Sequence, residues 1–113
     1  MVLIADAEEK WGDMSPEDRQ AAYERIEAWW GEHAAAGEIV EGHELQSTST
    51  ATTVRRDASG AVSVTDGPFM EAKEAVGGYA VIDVPDLDAA IRMVSGWPSE
   101  AALEIRPVVD SRE

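Results

Sequence analysis

One short stretch of this sequence concentrates the residue types that bind ligands or move protons. It contains the run Asp-Gly-Pro-Phe at positions 66–69, followed by Lys73 and Tyr79. A connection that combines a carboxylate, a glycine, a proline, an aromatic ring and a lysine is typical of a functional loop. We therefore predict a small-molecule site in which Asp66, if shielded from water, is a general base or ligand anchor. Phe69, Lys73 and Tyr79 are its predicted ligand-binding residues.

Each of these residues also has an ordinary structural interpretation. The Asp66 carboxylate can accept hydrogen bonds from the backbone N–H groups of its own turn. Phe69 can be a core residue, since aromatic side chains of small proteins are commonly buried. Lys73 can be an exposed cation beside a neighbouring acid. The sequence leaves both interpretations open for all three residues.

Two further candidates lie elsewhere in the chain. His43 follows Gly42, and a histidine can act as an acid or a base near neutral pH. Arg106, like Arg55, lies on a predicted strand, where it can line the same cleft or face solvent. If the protein is an enzyme, proton transfer by Asp66 or His43 is the chemistry that these residues offer. The sequence does not decide whether it is one.

We predict no metal or nucleotide cofactor. The chain has no cysteine and no H-E-x-x-H motif, and the acids and histidines near His43 follow no metal-binding spacing. It also lacks the glycine-rich motifs that hold phosphates and the G-x-S-x-G motif of hydrolases. The possible ligand is therefore expected to bind without a cofactor.

Composition limits the partners and the compartment. The chain has 113 residues, which fits one domain spanning 1–113, and its 23 acids against 9 lysines and arginines give a formal net charge of -14. Such a surface repels phosphate backbones and anionic lipids, so we expect no direct nucleic-acid or membrane partner. The start of the sequence does not read as a signal peptide, and the lack of cysteine fits a reducing compartment. We expect a cytoplasmic protein.

The elements that must position these residues follow from hydrophobic periodicity and from capping residues. Ser15-Pro16 is typical of a helix start, Gly37 of a helix end, and Asp86 of a second helix start. In chain order, we predict a strand at 2–6, a helix from 15 to 37, strands at 39–45 (interrupted at 42), 50–55, 61–65 and 78–84, a helix from 86 to 96, and a strand at 103–106.

This order predicts an α+β protein with a ferredoxin-like βαββ(β)αβ arrangement, a single antiparallel sheet and an extra hairpin. The nearly continuous apolar run at 78–84 predicts a central strand that is covered on both faces. Both helices should lie on one face of the sheet, which leaves residues such as Val54 and Val81 bare on the other. We therefore predict a homodimer in which two sheets meet face to face.

Taken together, these motifs resemble the YCII-related proteins, and in particular the branch named for its Asp-Gly-Pro-Phe signature. The resemblance covers nearly the whole chain. Besides the first strand and the long helix, it is carried by residues 36–40, 42–45, 51–55, 64–69, 71, 73–74, 77–79, 82–90 and 104–108.

The resemblance implies a dimeric α+β barrel with a cleft near the subunit interface. Some members have a proposed histidine–aspartate dyad whose histidine precedes the end of the long helix by about three turns. Residues 24–27 occupy that region here and include no histidine, so the dyad is not carried over. Members are often encoded beside extracytoplasmic-function sigma factors, which implies a non-catalytic accessory or regulatory role as the alternative. A stand-alone interaction module is a third possibility.

Overall fold

The computed structural model describes residues 1–69 and 74–110. Its elements in chain order are β1 (Val2–Asp6), α1 (Glu8–Asp13), α2 (Pro16–Ala35), β2 (Ile39–Glu44), a 3-10 turn (Thr48–Thr50), β3 (Thr52–Arg56), β4 (Val62–Asp66), β5 (Ala75–Ile82), α3 (Leu87–Ser95) and β6 (Ala102–Ile105).

The strands form two separate antiparallel sheets. Four of them make a sheet in the order β2-β5-β1-β6, and within the described residues β3 pairs only with β4. This arrangement confirms the α+β, ferredoxin-like prediction. The prediction of a single sheet was wrong, because the hairpin forms its own sheet, and Val54 lies on that hairpin instead of on the face of the main sheet.

The long helix α2 begins and ends where its capping residues predict. The Ser15 hydroxyl accepts a hydrogen bond from the Asp18 backbone N–H at 3.1 Å, and Pro16 occupies the first helical position. After the helix, Gly37 has a φ of 76°, a left-handed conformation that glycine adopts without steric cost.

Helix α3 supplies much of the small core. The Asp86 carboxylate caps it by accepting from the Ala89 N–H at 2.8 Å, and its buried residues are Ala90, Met93 and Val94. In the described part of the chain, the other buried apolar residues are Val2, Ala22, Ile39 and Ala80. Small side chains among them bring the helices close to the sheet.

The central strand β5 differs in position and in burial from the prediction. It runs from Ala75 to Ile82, so it begins before and ends before the predicted span. Ala80 is buried, but Tyr79 and Val81, which alternate with it, are only half-buried. A single copy therefore covers one face of this strand well and the other only in part.

The irregularity of β2 lies near Val40, where its register on β5 shifts between Ile39 and Glu41. The predicted interruption at Gly42 was wrong, because Gly42 pairs regularly with Ala80. The glycine serves another purpose: a Cβ there would lie 2.5 Å from Cζ2 of Trp30. Its lack of a side chain lets α2 approach the sheet.

Candidate functional site

A cavity of about 920 Å³ lies between the helices and the four-stranded sheet. Helices α1 and α2 contribute Trp11, Tyr23, Ile26 and Trp30 to its walls, and Trp97 follows α3. The volume is within the range of small-molecule sites in proteins. The remaining lining residues are Ile4, Asp6, Glu8, Gly12, Arg19, Glu27, Gly31, Gly42, His43, Glu44, Leu45, Ser47, Ala75, Gly77, Gly78, Ser99 and Ala101.

Hydrogen bonds to Trp11 hold the α1 wall of the cavity in place. Nε1 of Trp11 donates to Oδ2 of Asp6 at 2.9 Å, and the other Asp6 oxygen accepts from the Ala7 N–H at 2.8 Å. Nη2 of Arg19 donates to the Trp11 carbonyl at 2.9 Å and to the Met14 carbonyl at 3.4 Å. These contacts connect the end of β1, α1 and the first turns of α2.

A second contact joins α2 to β2 across the cavity. The Tyr23 hydroxyl donates to Oε1 of Glu44 at 2.7 Å, and its ring lies 5.4 Å from the Trp11 ring between centroids. The hydrogen bond to Glu44 raises the pKa of Tyr23, with partial burial and the charge of Glu44 adding to the effect. The phenol therefore stays protonated and continues to donate.

Glu8 supplies a carboxylate that the fold keeps ionised. It accepts hydrogen bonds from the Thr48 backbone N–H at 2.8 Å and from the Thr48 hydroxyl at 2.6 Å. Donation by the Thr48 hydroxyl and then by its N–H lowers the pKa of Glu8, because both bonds favour the charged form. The same contact attaches α1 to the 3-10 turn.

Of the residues predicted for the site, the structure brings His43 and Tyr79 together. Their rings lie 5.9 Å apart between centroids, and His43 lines the cavity. The Tyr79 hydroxyl donates to Glu41 at 3.1 Å. Desolvation first, and then this hydrogen bond, raise the pKa of Tyr79. Tyr79 itself is not among the residues that line the cavity.

The Asp-Gly-Pro-Phe loop lies apart from the cavity lining. Asp66 is the exposed last residue of β4, and the Phe69 side chain is 69% exposed. Nη2 of Arg55 donates to the Phe69 carbonyl at 2.9 Å, which attaches the loop to its own hairpin. General-base chemistry by Asp66 requires shielding from water, and a second copy would have to supply it. The role of this loop stays a prediction.

The two remaining predicted residues lie outside this cavity as well. Arg106 is exposed, and its Nε contacts the Glu104 carboxylate at 2.8 Å. Lys73 lies outside the described residues.

Sequence reasoning missed the residues that build the cavity, above all Trp11, Tyr23 and Glu44. A signal for one wall was present, because Tyr23, Glu27 and Trp30 recur at helical spacing and so share one face of α2. The facing wall had no such signal. Its residues come from β1, β2 and β5, and only the fold brings those strands opposite the helix.

Residues 1–69 and 74–110 lack two kinds of feature. No helix in these ranges combines the length and apolar character that a membrane span needs. Within the same ranges, no group of three histidine, aspartate or glutamate side chains is arranged to hold a metal ion.

A comparison with protein families identifies the family of this sequence. The model of the YCII-related domain matches residues 1–112. The chain belongs to the YCII-related family. An uncharacterized protein of Rhizobium meliloti (strain 1021) is 31% identical to this YCII-related chain over 111 residues, which cover 95% of the chain and 89% of the relative. The dimeric barrel that the resemblance implies stays a prediction.

Proposed function

We propose that this YCII-related protein is a cytoplasmic homodimer that binds a small organic molecule in the cavity between α2 and the sheet. The observation that carries the proposal is the cavity itself, about 920 Å³ in volume and walled by aromatic rings and carboxylates. Apolar walls with a few positioned polar groups are typical of ligand sites. The binding centre then lies in the helix–sheet cavity and not at the Asp66 loop.

The polar contacts around the cavity support binding because they hold its walls in one arrangement. The contacts Trp11–Asp6, Tyr23–Glu44 and Glu8–Thr48 each join a helix to another part of the chain. A site that is already ordered loses less conformational entropy when a ligand enters.

The test is a thermal-shift screen of a metabolite library on the wild type and on Gly31→Leu. Gly31 lines the cavity, and a Cβ there meets no atom within 4 Å, so this position has room for the start of a side chain and we expect a leucine to occupy cavity space. Ala28→Leu is the matched control, because Ala28 is an exposed residue of α2 outside the lining. A ligand at 100 times its Kd stabilises the folded state by about 2.7 kcal/mol.

We expect compounds that stabilise the wild type and Ala28→Leu and that lose their effect in Gly31→Leu. Equal shifts in all three proteins, or no stabilising compound, would contradict the cavity as the binding site. Asp66→Asn and His43→Gln complete the screen. A ligand whose shift depends on either residue would support the predicted acid–base role, and chemical turnover of that ligand would establish an enzyme.

The homodimer part of the proposal rests on apolar surface that one copy leaves uncovered. Val54, Val62 and Val64 share one face of the β3–β4 hairpin, and they are 63%, 56% and 64% exposed. The radius of gyration is 16.5 Å, whereas a compact chain of this length has about 13 Å. A second copy that covers the hairpin valines and the half-buried face of the main sheet would account for both observations.

Light scattering coupled to gel filtration tests the dimer. We expect twice the chain mass for the wild type and a shift toward the monomer for the double variant Val54→Ser and Val64→Ser. Thr65→Ser, on the opposite face of β4, is the control and should leave the mass unchanged. A monomeric wild type in dilute solution would refute the dimer.

The alternative is a non-catalytic accessory role in an extracytoplasmic-function sigma factor pathway. It requires an exposed apolar surface outside the dimer contact, and the hairpin valines would be that surface. The mass measurement separates the two roles. Val54→Ser with Val64→Ser leaves the dimer intact if these valines bind another protein, and weakens it if they bind a second copy.

A further inference from the structure

We propose that the helix–sheet cavity selects an organic cation, meaning an amine or quaternary ammonium group carried on an apolar or aromatic body. This inference rests on the proposed ligand-binding function and adds the chemical class of the ligand. Among residues 1–69 and 74–110, the cavity lining contains four carboxylates, those of Asp6, Glu8, Glu27 and Glu44, against the single guanidinium of Arg19. The Lys10 ammonium, outside this lining, lies 3.8 Å from the Asp6 carboxylate and offsets one of the four charges. A positive ligand therefore enters a region of negative potential.

The guanidinium of Arg19 already has partners. Nη2 of Arg19 donates to the carbonyl groups of Trp11 and Met14. These bonds place its charge beside the carbonyl end of α1 and hold the wall together. An anionic ligand at this group would lie among the four carboxylates of the lining, so the lining disfavours anions.

The aromatic walls are a second and independent feature that suits a cation. The rings of Trp11 and Tyr23 lie 5.4 Å apart between centroids, and each donates its polar hydrogen to a carboxylate, Asp6 and Glu44 respectively. Donation to an anion increases the electron density of the ring. The face of an electron-rich ring attracts ammonium groups, the more so where water is excluded.

Size and ligand geometry favour an organic cation over a metal ion. The cavity of about 920 Å³ is far larger than a metal ion, and it is lined by rings as well as by acids. Among the described residues no three acids or histidines converge as metal ligands. The carboxylates are distributed over β1, α1, α2 and β2, which suits a ligand with an extended body and one positive charge.

The experiment compares three probes of similar shape, which are 2-phenylethylammonium, the neutral 2-phenylethanol and the anionic 3-phenylpropionate. Binding is measured by calorimetry at physiological ionic strength, where general surface attraction is screened. We expect the cation to bind about tenfold more tightly than the neutral probe, as a cation–π contact and a nearby carboxylate together allow, and the anion most weakly.

Two sets of variants locate the effect. Glu27→Gln with Glu44→Gln keeps an acceptor for the Tyr23 hydroxyl but removes two cavity charges, and should reduce the preference for the cation about tenfold. Glu32→Gln removes an exposed acid of α2 outside the lining and should leave the preference for the cation unchanged. Binding of 2-phenylethanol should be the same in all variants, because it carries no charge.

The outcomes separate the cation inference from the cavity proposal. Equal binding of the three probes, abolished by Gly31→Leu, overturns the cation preference and keeps the cavity as a ligand site. Failure of 2-phenylethylammonium to bind also overturns the preference, while library compounds that Gly31→Leu excludes would still support the cavity. If the preference for the cation falls by the same factor in Glu32→Gln, the preference comes from the net charge of the surface. This result would also overturn the inference.

Discussion

Replacing Gly42 by alanine should destabilise the protein more than any other single methyl group added to its described glycines. A Cβ on this residue of β2 would lie 2.5 Å from Cζ2 of Trp30 and 2.5 Å from the Tyr79 carbonyl oxygen. The indole can shift only by moving a wall of the cavity, and the carbonyl belongs to the neighbouring strand β5. Both contacts are therefore costly to relieve.

The magnitude follows from overpacking in a folded core, which costs about 1 to 3 kcal/mol. The upper part of that range applies because one of the two clashes is with backbone, so we expect a loss of about 2 to 3 kcal/mol in the free energy of unfolding. A domain of this size is stable by about 6 to 15 kcal/mol, and its melting temperature falls by about 4 °C per kcal/mol. The expected decrease is about 8 to 12 °C.

Urea denaturation followed by tryptophan fluorescence measures this loss directly. Gly31→Ala is the control, because a Cβ at this position of α2 meets no atom within 4 Å. Alanine is a better helix former than glycine, so the control should gain about 0.5 to 1 kcal/mol. Adding Trp30→Phe to Gly42→Ala should recover only part of the loss, since the clash with the Tyr79 carbonyl remains.

The refuting result is a Gly42→Ala protein whose unfolding free energy lies within 0.5 kcal/mol of the wild type, a margin of about the usual size for surface changes. That outcome would mean that β2 and Trp30 do not approach as closely as the cavity wall requires.

The other predictions concern single contacts. Asp86→Ala removes the cap that accepts from the Ala89 N–H and should cost about 1 kcal/mol in the unfolding free energy, read from the urea midpoint; no change would contradict the capping role. Gly37→Ala forces a side chain into a φ of 76° and should cost about 1 kcal/mol in the unfolding free energy, which is measured as a lower melting temperature. Thr48→Val removes the hydroxyl bond that lowers the pKa of Glu8 from 4.5, so the stabilisation is present above pH 4.5 and is lost as the pH falls through the lowered pKa. The variant should therefore lose about 1 kcal/mol in urea denaturation at pH 7 and less at pH 3, and an equal loss at both values would count against the bond.

The elements that sequence reasoning predicted well have signals in adjacent residues. Ser15-Pro16 and Asp86 each place a capping group one position before a helix, and Gly37 supplies the left-handed residue that follows one. Such signals depend on a few neighbours along the chain, so they survive in the folded protein. They fix the helices, and the strand pattern then fixes the ferredoxin-like order.

The elements and contacts that sequence reasoning missed depend on distant residues or on weak local preference. Helix α1 has only six residues, carries a glycine at position 12, and has no side-chain cap, so no local signal marks it. Tyr23 and Glu44 are 21 positions apart and meet only after α2 has packed on β2. The cavity forms only where these distant residues meet, so the sequence alone favours the loop at Asp66 as the site.

The separate β3–β4 sheet has a consequence for hydrogen–deuterium exchange. Within the described chain its backbone ladder pairs Thr52–Arg56 only with Val62–Asp66. An isolated two-stranded ribbon is marginally stable in water, so its amide protons should exchange by local opening, long before those of β5, which is bonded on both sides. The exchange rate of each of these amides then reports whether a second copy or another protein is bound to the β3–β4 hairpin.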